Sequence, residues 1–368
     1  MARVKKKKFS IKKTIRFTLI LIILITFILN IGNIKTFFLS KTTGYQKEAI
    51  QTFLETNTID KIKKQPYSKT LENIINTSYY QEKYLDNYLN ITYYDKSNFF
   101  ENINILLDKG YQSNDINTIY QLLNDDSINI LIQNDYIKDI TNLISINYFK
   151  EENLERYLKY YQKEELDYET ILTYVNIGLD NEYYTNVIEI SDQEDLEIIV
   201  NKYHKLDNNY VPSDLENVSY GSGKLRKEAR IAFDKMCASA KSENIILYGG
   251  SGYRSYSHQL NLYNNYVKRD GKTAADTYSA RAGYSEHQTG LAMDILNGRW
   301  DYIDKTDKEY TWLINNSYKF GFVLRYPEGK ENITGYIYEP WHYRYIGTEL
   351  AEYLTKQNLT YEEYLAKK

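Results

Sequence analysis

Residues 285–295, SEHQTGLAMDI, place a histidine seven positions before an aspartate, with a glycine between them. If LAMDIL (291–296) is a strand, Ala292 and Asp294 share one face, and Leu291, Met293 and Ile295 share the other. A single helix running from His287 to Asp294 would hold their Cα atoms about 10 Å apart, far for two ligands of one ion. Gly290 instead allows the chain to turn, so that a loop and a strand bring the two side chains together. That geometry suits a cation held by bonds of about 2 Å. The bland alternative is a chance pairing around a turn glycine, and a second histidine-bearing stretch weighs against it.

In EPWHYRYIG (339–347), Pro340 makes a regular strand unfavourable before Trp341. From there His342, Arg344 and Ile346 lie on one face, with Trp341, Tyr343 and Tyr345 on the other. His287, Asp294 and His342 then make three protein ligands and leave a fourth position for water, the arrangement of catalytic rather than structural zinc. Glu339 sits just outside the strand, free to lie beside the cation and take a proton from attacking water. Arg254, in SGYRSYSHQ (251–259), follows the predicted strand NIILYG (244–249). From that position a guanidinium can grip a carboxylate through two parallel hydrogen bonds. Gln259 and Ser285 lie where they could add neutral hydrogen bonds to a peptide backbone. Taken singly, each piece has an ordinary structural role open to it: Arg254 as a surface residue, Trp341 as a core aromatic. The other two of the four histidines, His204 and His258, are expected to be non-ligands.

The chain has 368 residues, enough for more than one domain. Near residue 198 the texture changes, and residues 198–368 mix helices with short strands. KLRKEARIAFDKMCASAKS (224–242) is an amphipathic helix, a further helix ends at Gly271, and GFVLRYP (321–327) is strand-like. The expected fold is α+β: a small antiparallel sheet flanked by helices, preceded by an all-α segment and one N-terminal transmembrane helix. The single cysteine, Cys237, falls on the amphipathic helix and is expected to be a buried small apolar side chain. Residues 35–197 read as successive amphipathic helices with turn clusters such as SND and NDD between them. Their starts at Asp115, Tyr136, Asn153 and Tyr168 draw closer along the chain, which gives a repeat array little support, and the segment is expected to be a spacer.

Residues 1–16 carry eight Lys or Arg and no acid, so the net charge of −3 becomes −11 for the remainder. That acidic remainder argues against a nucleic-acid partner. Residues 17–34 contain no charge and span roughly 27 Å as a helix, close to a bilayer core. The basic flank puts the N-terminus in the cytoplasm and the bulk of the chain outside. A cleaved signal peptide is the alternative, but no convincing small-x-small cleavage site follows and the apolar run is long for a signal-peptide core.

In order, the arginine in SGYRS, then SEHQTGLAMD, then EPWHYRY resemble the VanY-type D-alanyl-D-alanine carboxypeptidase family of zinc metallopeptidases. GFVLRYPEGKENITGYIYEPWHYRYIG is similar to the C-terminal block of that family, and the resemblance covers roughly residues 198–366. It implies His287, Asp294 and His342 as zinc ligands, Glu339 as catalytic base, and Arg254 as the residue holding the substrate carboxylate or the developing oxyanion. It also implies Gln259, Ser285 and Trp341 as pocket-lining residues. One departure is Ala282, where the family pattern leads one to expect proline, and this loosens the loop before Ser285. No HExxH occurs, which excludes a thermolysin-like site. The implied activity is a membrane-anchored zinc D,D-carboxypeptidase acting on peptidoglycan stem peptides. The alternatives are an L,D-carboxypeptidase on tetrapeptide stems, a cytoplasmic-type dipeptidase, which the topology disfavours, and an inactive wall-binding module.

Overall fold

The computed structural model describes residues 11–164 and 166–368, with side chains from residue 15 onward. By internal contacts the chain divides into two compact units, one ending at Ser145 and one running from Ile146 to Lys368. The second unit therefore begins well before residue 198, where composition suggested a boundary.

The first unit opens with helix α1, Ile11–Thr43, which continues past the uncharged stretch 17–34. Its apolar side chains are exposed along its length, among them Phe17, Ile23 and Leu29. Residues Ile15–Thr43 form a helix long and apolar enough to cross a membrane. Short helices follow, including Lys47–Glu55, Phe99–Lys109 and Ser113–Leu122, each burying an apolar stripe. Polar ties join successive parts of this unit: Lys61 pairs with Asp86 at 2.6 Å, Lys83 with Asp108 at 2.6 Å, and the Lys109 ammonium donates to the Asn134 carbonyl.

In the second unit, helices Leu154–Lys163 and Tyr168–Asn176 precede the sheet-bearing region. Helix α2 (Lys227–Ser242) buries Ala229, Phe233, Met236, Cys237 and Ala240, one face at helical spacing. Burial pushes the Cys237 thiol up, so it is inert there. Strands β1 (Tyr248–Ser251), β2 (Ala292–Leu296), β3 (Phe322–Leu324) and β4 (His342–Tyr345) form one sheet in the order β1-β2-β4-β3, antiparallel throughout. Helix α3 (Tyr256–Asp270) follows β1, and helix α4 (Tyr361–Ala366) ends the fold.

Alternation along β2 explains why the sheet has a dry side and a chemical side. Met293 and Ile295 join Phe233, Met236 and Tyr343 in the core, where each fully buried apolar side chain is worth about 1.5–3 kcal/mol. Ala292 and Asp294 face the other way. The register sets Asp294 directly opposite His342 on β4, and Ala292 opposite Arg344. On the other edge of β2, Asp294 pairs with Ser251 and Leu296 with Tyr248, with an irregularity between Gly249 and Ser251. Strand β4 begins at His342, after Glu339, Pro340 and Trp341, as the proline requires.

Candidate metal centre and active site

The segment before β2 is a short 3₁₀ turn, Glu286–Thr289, closed by Gly290 at φ +67°. A Cβ there would meet the Leu215 side chain at 2.8 Å, so both conformation and space call for glycine. The turn carries His287 back over the strand. Its Nδ1 lies 2.8 Å from the Gly252 carbonyl, which fixes the proton on Nδ1 and leaves Nε2 facing Asp294 Oδ2 at 3.3 Å. Asp294 Oδ1 lies 3.0 Å from His342 Nδ1. The two imidazoles stand edge to face with centroids 5.0 Å apart. One ligand atom from each of His287, Asp294 and His342 falls within 4.8 Å of the others, and all three residues are buried. Two imidazoles and one carboxylate, converging with lone pairs inward, fit a divalent cation.

The far side of His342 explains its orientation. Its Nε2 faces Glu286 Oε2 at 3.5 Å. Glu286 Oε1 accepts from Arg325 Nε at 2.8 Å and from Arg344 Nη1 at 3.1 Å, and Arg325 also grips both oxygens of Glu362 at 2.6 and 2.8 Å. Two carboxylates and two guanidinium groups thus form a neutral cluster, buried almost completely. Burial alone would raise the Glu286 carboxyl, but the two arginines outweigh it and hold it well below the usual range. No motif in the sequence marked Glu286, Arg325 or Glu362 for a role. Arg344 was marked only as sharing a strand face with His342, and that parity was the available signal.

Glu339 lies beside the ligands without joining them. Its Oε2 is 3.8 Å from His342 Nδ1, and its backbone N–H donates to the Tyr326 carbonyl at 3.1 Å. Burial, reinforced by the negative charges of Asp294 and Glu286 against the pull of His342 and Arg254, pushes its carboxyl up to about 7. In His342 burial works to lower the imidazole, yet the hydrogen bonds to Asp294 and Glu286 prevail and raise it to about 9. Burial and the nearby Arg254 lower His287.

Arg254 donates from Nη1 to Gln259 Oε1 at 2.8 Å and from Nη2 to Ser251 Oγ at 2.9 Å, and its Nη2 stands 3.6 Å from Asp294 Oδ2. Gln259 is fully buried, and its Nε2 donates to the Ala280 carbonyl at 2.6 Å. Both ends of that amide are thus engaged by the protein, so Gln259 orients Arg254 while lining the same cavity. Arg254, Ser285, Glu339, Trp341 and the three ligand residues line one open cavity of about 340 Å³, the lower end of the usual size for small-molecule sites. His204 lies elsewhere, against Asn201. His258 does not line the cavity.

The loop before Ser285 is held despite Ala282. Arg281 makes two hydrogen bonds to Asp276, at 3.0 and 2.8 Å, and stacks 3.6 Å over Tyr184. The Gly283 carbonyl accepts from Leu206. These contacts supply the restraint that proline would have given.

Residues 222–348 match the family model described as VanY, D-alanyl-D-alanine carboxypeptidase. A D-alanyl-D-alanine carboxypeptidase of Enterococcus faecalis is 38% identical over 186 residues, which cover 47% of this chain and 67% of that protein. Among solved structures, the LdcB LD-carboxypeptidase aligns with a TM-score of 0.47 at 38% identity, over 50% of this chain and 91% of that one. A mutant of the vancomycin-resistance D,D-pentapeptidase VanY, in complex with Zn(II), aligns with a TM-score of 0.42 at 35% identity, over 46% of this chain and 98% of that one.

Proposed function

The chain belongs to the VanY family of D-alanyl-D-alanine carboxypeptidases, and on that premise we propose that it is a membrane-anchored zinc D,D-carboxypeptidase. Its substrates are the stem peptides of peptidoglycan, from which it removes the C-terminal D-alanine. The observation that carries this is the convergence of His287, Asp294 and His342 beside a carboxyl raised to about 7, in a cavity that also holds a guanidinium.

His287 Nε2, an Asp294 oxygen and His342 Nδ1 would hold the zinc. When bound, the ion supplies Lewis acidity, lowering the pKa of water to about 7 and polarising the scissile carbonyl. Glu339 accepts a proton from the attacking water and returns it to the amine nitrogen as the C–N bond breaks. A carboxyl titrating near neutrality suits both transfers. Arg254 takes the terminal carboxylate of the substrate, exchanging its long 3.6 Å contact with Asp294 for a bidentate pair. Gln259 and Ser251 keep the guanidinium plane fixed during that exchange. Ser285 and Trp341 bound the pocket around the departing residue. The basic tail stays in the cytoplasm, α1 anchors the chain, and the catalytic region is extracytoplasmic.

Glu339→Gln tests the assignment. Zinc content is expected to be retained while hydrolysis of a synthetic pentapeptide stem falls by at least 10²-fold. Wild-type rates in that variant would remove Glu339 from the chemistry. Mass analysis of products from pentapeptide and tetrapeptide stems, using residues 35–368, decides between D,D and L,D cleavage.

A further inference from the structure

Trp300 occupies a backbone position that tryptophan rarely tolerates. Residues 297–301 form a hairpin loop in which Trp300 N–H donates to the Asn297 carbonyl at 3.0 Å and Asn297 N–H to the Asp301 carbonyl at 2.9 Å. This is a turn followed by a left-handed residue, a place normally filled by glycine. Trp300 sits there at φ +67°. It gains little burial in return, since 56% of it is exposed. Strain held in place at a side chain that stays largely exposed points to a use for it.

The indole lies flat on the Tyr248 ring, with centroids 4.3 Å apart and planes inclined by 12°. Tyr248 pairs with Leu296 on β2, and Leu296 bridges to Tyr302 on the returning arm of the hairpin. Residues directly opposite in a sheet share a face, and Leu296 shares its face with Asp294. Tyr248, Leu296 and Tyr302 therefore form a row across the side of the sheet that carries the metal ligands. Trp300 caps one end of the row. At the other, Tyr302 stands 5.7 Å from Trp341, and both line the catalytic cavity. Arg299 and Asp301 flank the indole as exposed hydrogen-bonding groups.

We infer that the Trp300–Tyr248 stack is a carbohydrate platform that binds a pyranose ring of the glycan strand to which the substrate peptide is attached. This rests on the proposed function. The row lies about 7 Å along β2 from Asp294, and Tyr248 about 5 Å to its side. With the scissile bond at the metal ligands, the four residues left on the stem extend about 14 Å and carry its sugar end to the stack. A flat indole matches the C–H face of a pyranose, and the charged flanks match its hydroxyl and amide groups.

The test compares kcat/KM for a free pentapeptide with that for the same pentapeptide on its N-acetylated disaccharide. In the wild type the disaccharide form is expected to be about tenfold the better substrate. Trp300→Gly removes the ring and suits the left-handed position, so Tm should hold or rise. That variant should keep its rate on the free peptide and lose the tenfold preference, and Trp300→Tyr should restore much of it. An unchanged preference, or equal loss on both substrates, would overturn the platform. Titration of the peptide-free disaccharide, followed by tryptophan fluorescence in wild type and Trp300→Gly, reads the platform without cleavage. Failure to cleave either substrate would count against the proposed function, whereas absence of a Trp300-dependent fluorescence change would count against the platform.

Discussion

His342 has a carboxylate on each side of its ring, Asp294 at Nδ1 and Glu286 at Nε2, and this sets the terms on which it can bind a metal. Raised to about 9, it carries a proton at neutral pH in the metal-free protein, whereas His287 is lowered and already neutral. A cation entering at Nδ1 must displace that proton. Zinc affinity should therefore climb with pH up to about 9 and level off above it. Calorimetry of zinc binding at pH 7, in buffers of different ionisation heat, should show release of about one proton. Zero release would mean that His342 is neutral before metal arrives. The residues that touch the ion were legible because strand parity and a turn glycine bring them to one face: a histidine and an aspartate around Gly290, and a histidine after Glu-Pro-Trp. Glu286 was not, although it precedes His287 directly. A charged loop residue is solvated by default, and its burial is decided by arginines 39 and 58 residues away.

The elements meeting at Glu286 divide the work between holding the fold and aiming His342. The 3₁₀ turn supplies Glu286, the end of β3 supplies Arg325, β4 supplies Arg344 and α4 supplies Glu362. Removing one charge from such a buried set leaves another unpaired, at a cost of about 3–5 kcal/mol. Glu286→Gln should lower the denaturant midpoint accordingly and also weaken zinc by about 10–100-fold, because the support behind His342 is lost. Glu362→Gln breaks the Arg325 pair one step further out, so it should lower stability while zinc affinity stays near that of the wild type. Equal zinc loss in both variants would mean that the cluster acts on the site only through global stability. Strand parity was enough to put Asp294 and His342 together. It could not announce a salt-bridge cluster, whose members come from four elements with no shared spacing.

For the whole chain, composition and contact disagree about where the catalytic unit starts. The sequence changes texture near residue 198, but the compact unit begins at Ile146. Physical ties cross the expected boundary: Asn176 Nδ2 donates to the Ala366 carbonyl, and the Tyr361 hydroxyl donates to the Glu197 carbonyl. Arg344, behind the metal site, donates from Nη2 to the carbonyls of Leu196 and Ile198 at 3.0 and 2.9 Å. A helical pattern looks alike whether the helix belongs to a spacer or packs against a neighbouring sheet region, so the alternation rules could not assign it. A fragment of residues 198–368 loses the Leu196 acceptor of Arg344 and the partner of Tyr361. It also uncovers the surface of α4 that packs against the helix Tyr168–Asn176. Unsatisfied buried donors cost about 1–3 kcal/mol each, so this fragment should unfold at markedly lower denaturant than residues 146–368. The longer fragment should unfold in one transition and cleave pentapeptide at the rate of residues 35–368. Matching denaturant midpoints for the two fragments would return the boundary to residue 198 and make the preceding helical pair dispensable to the catalytic unit.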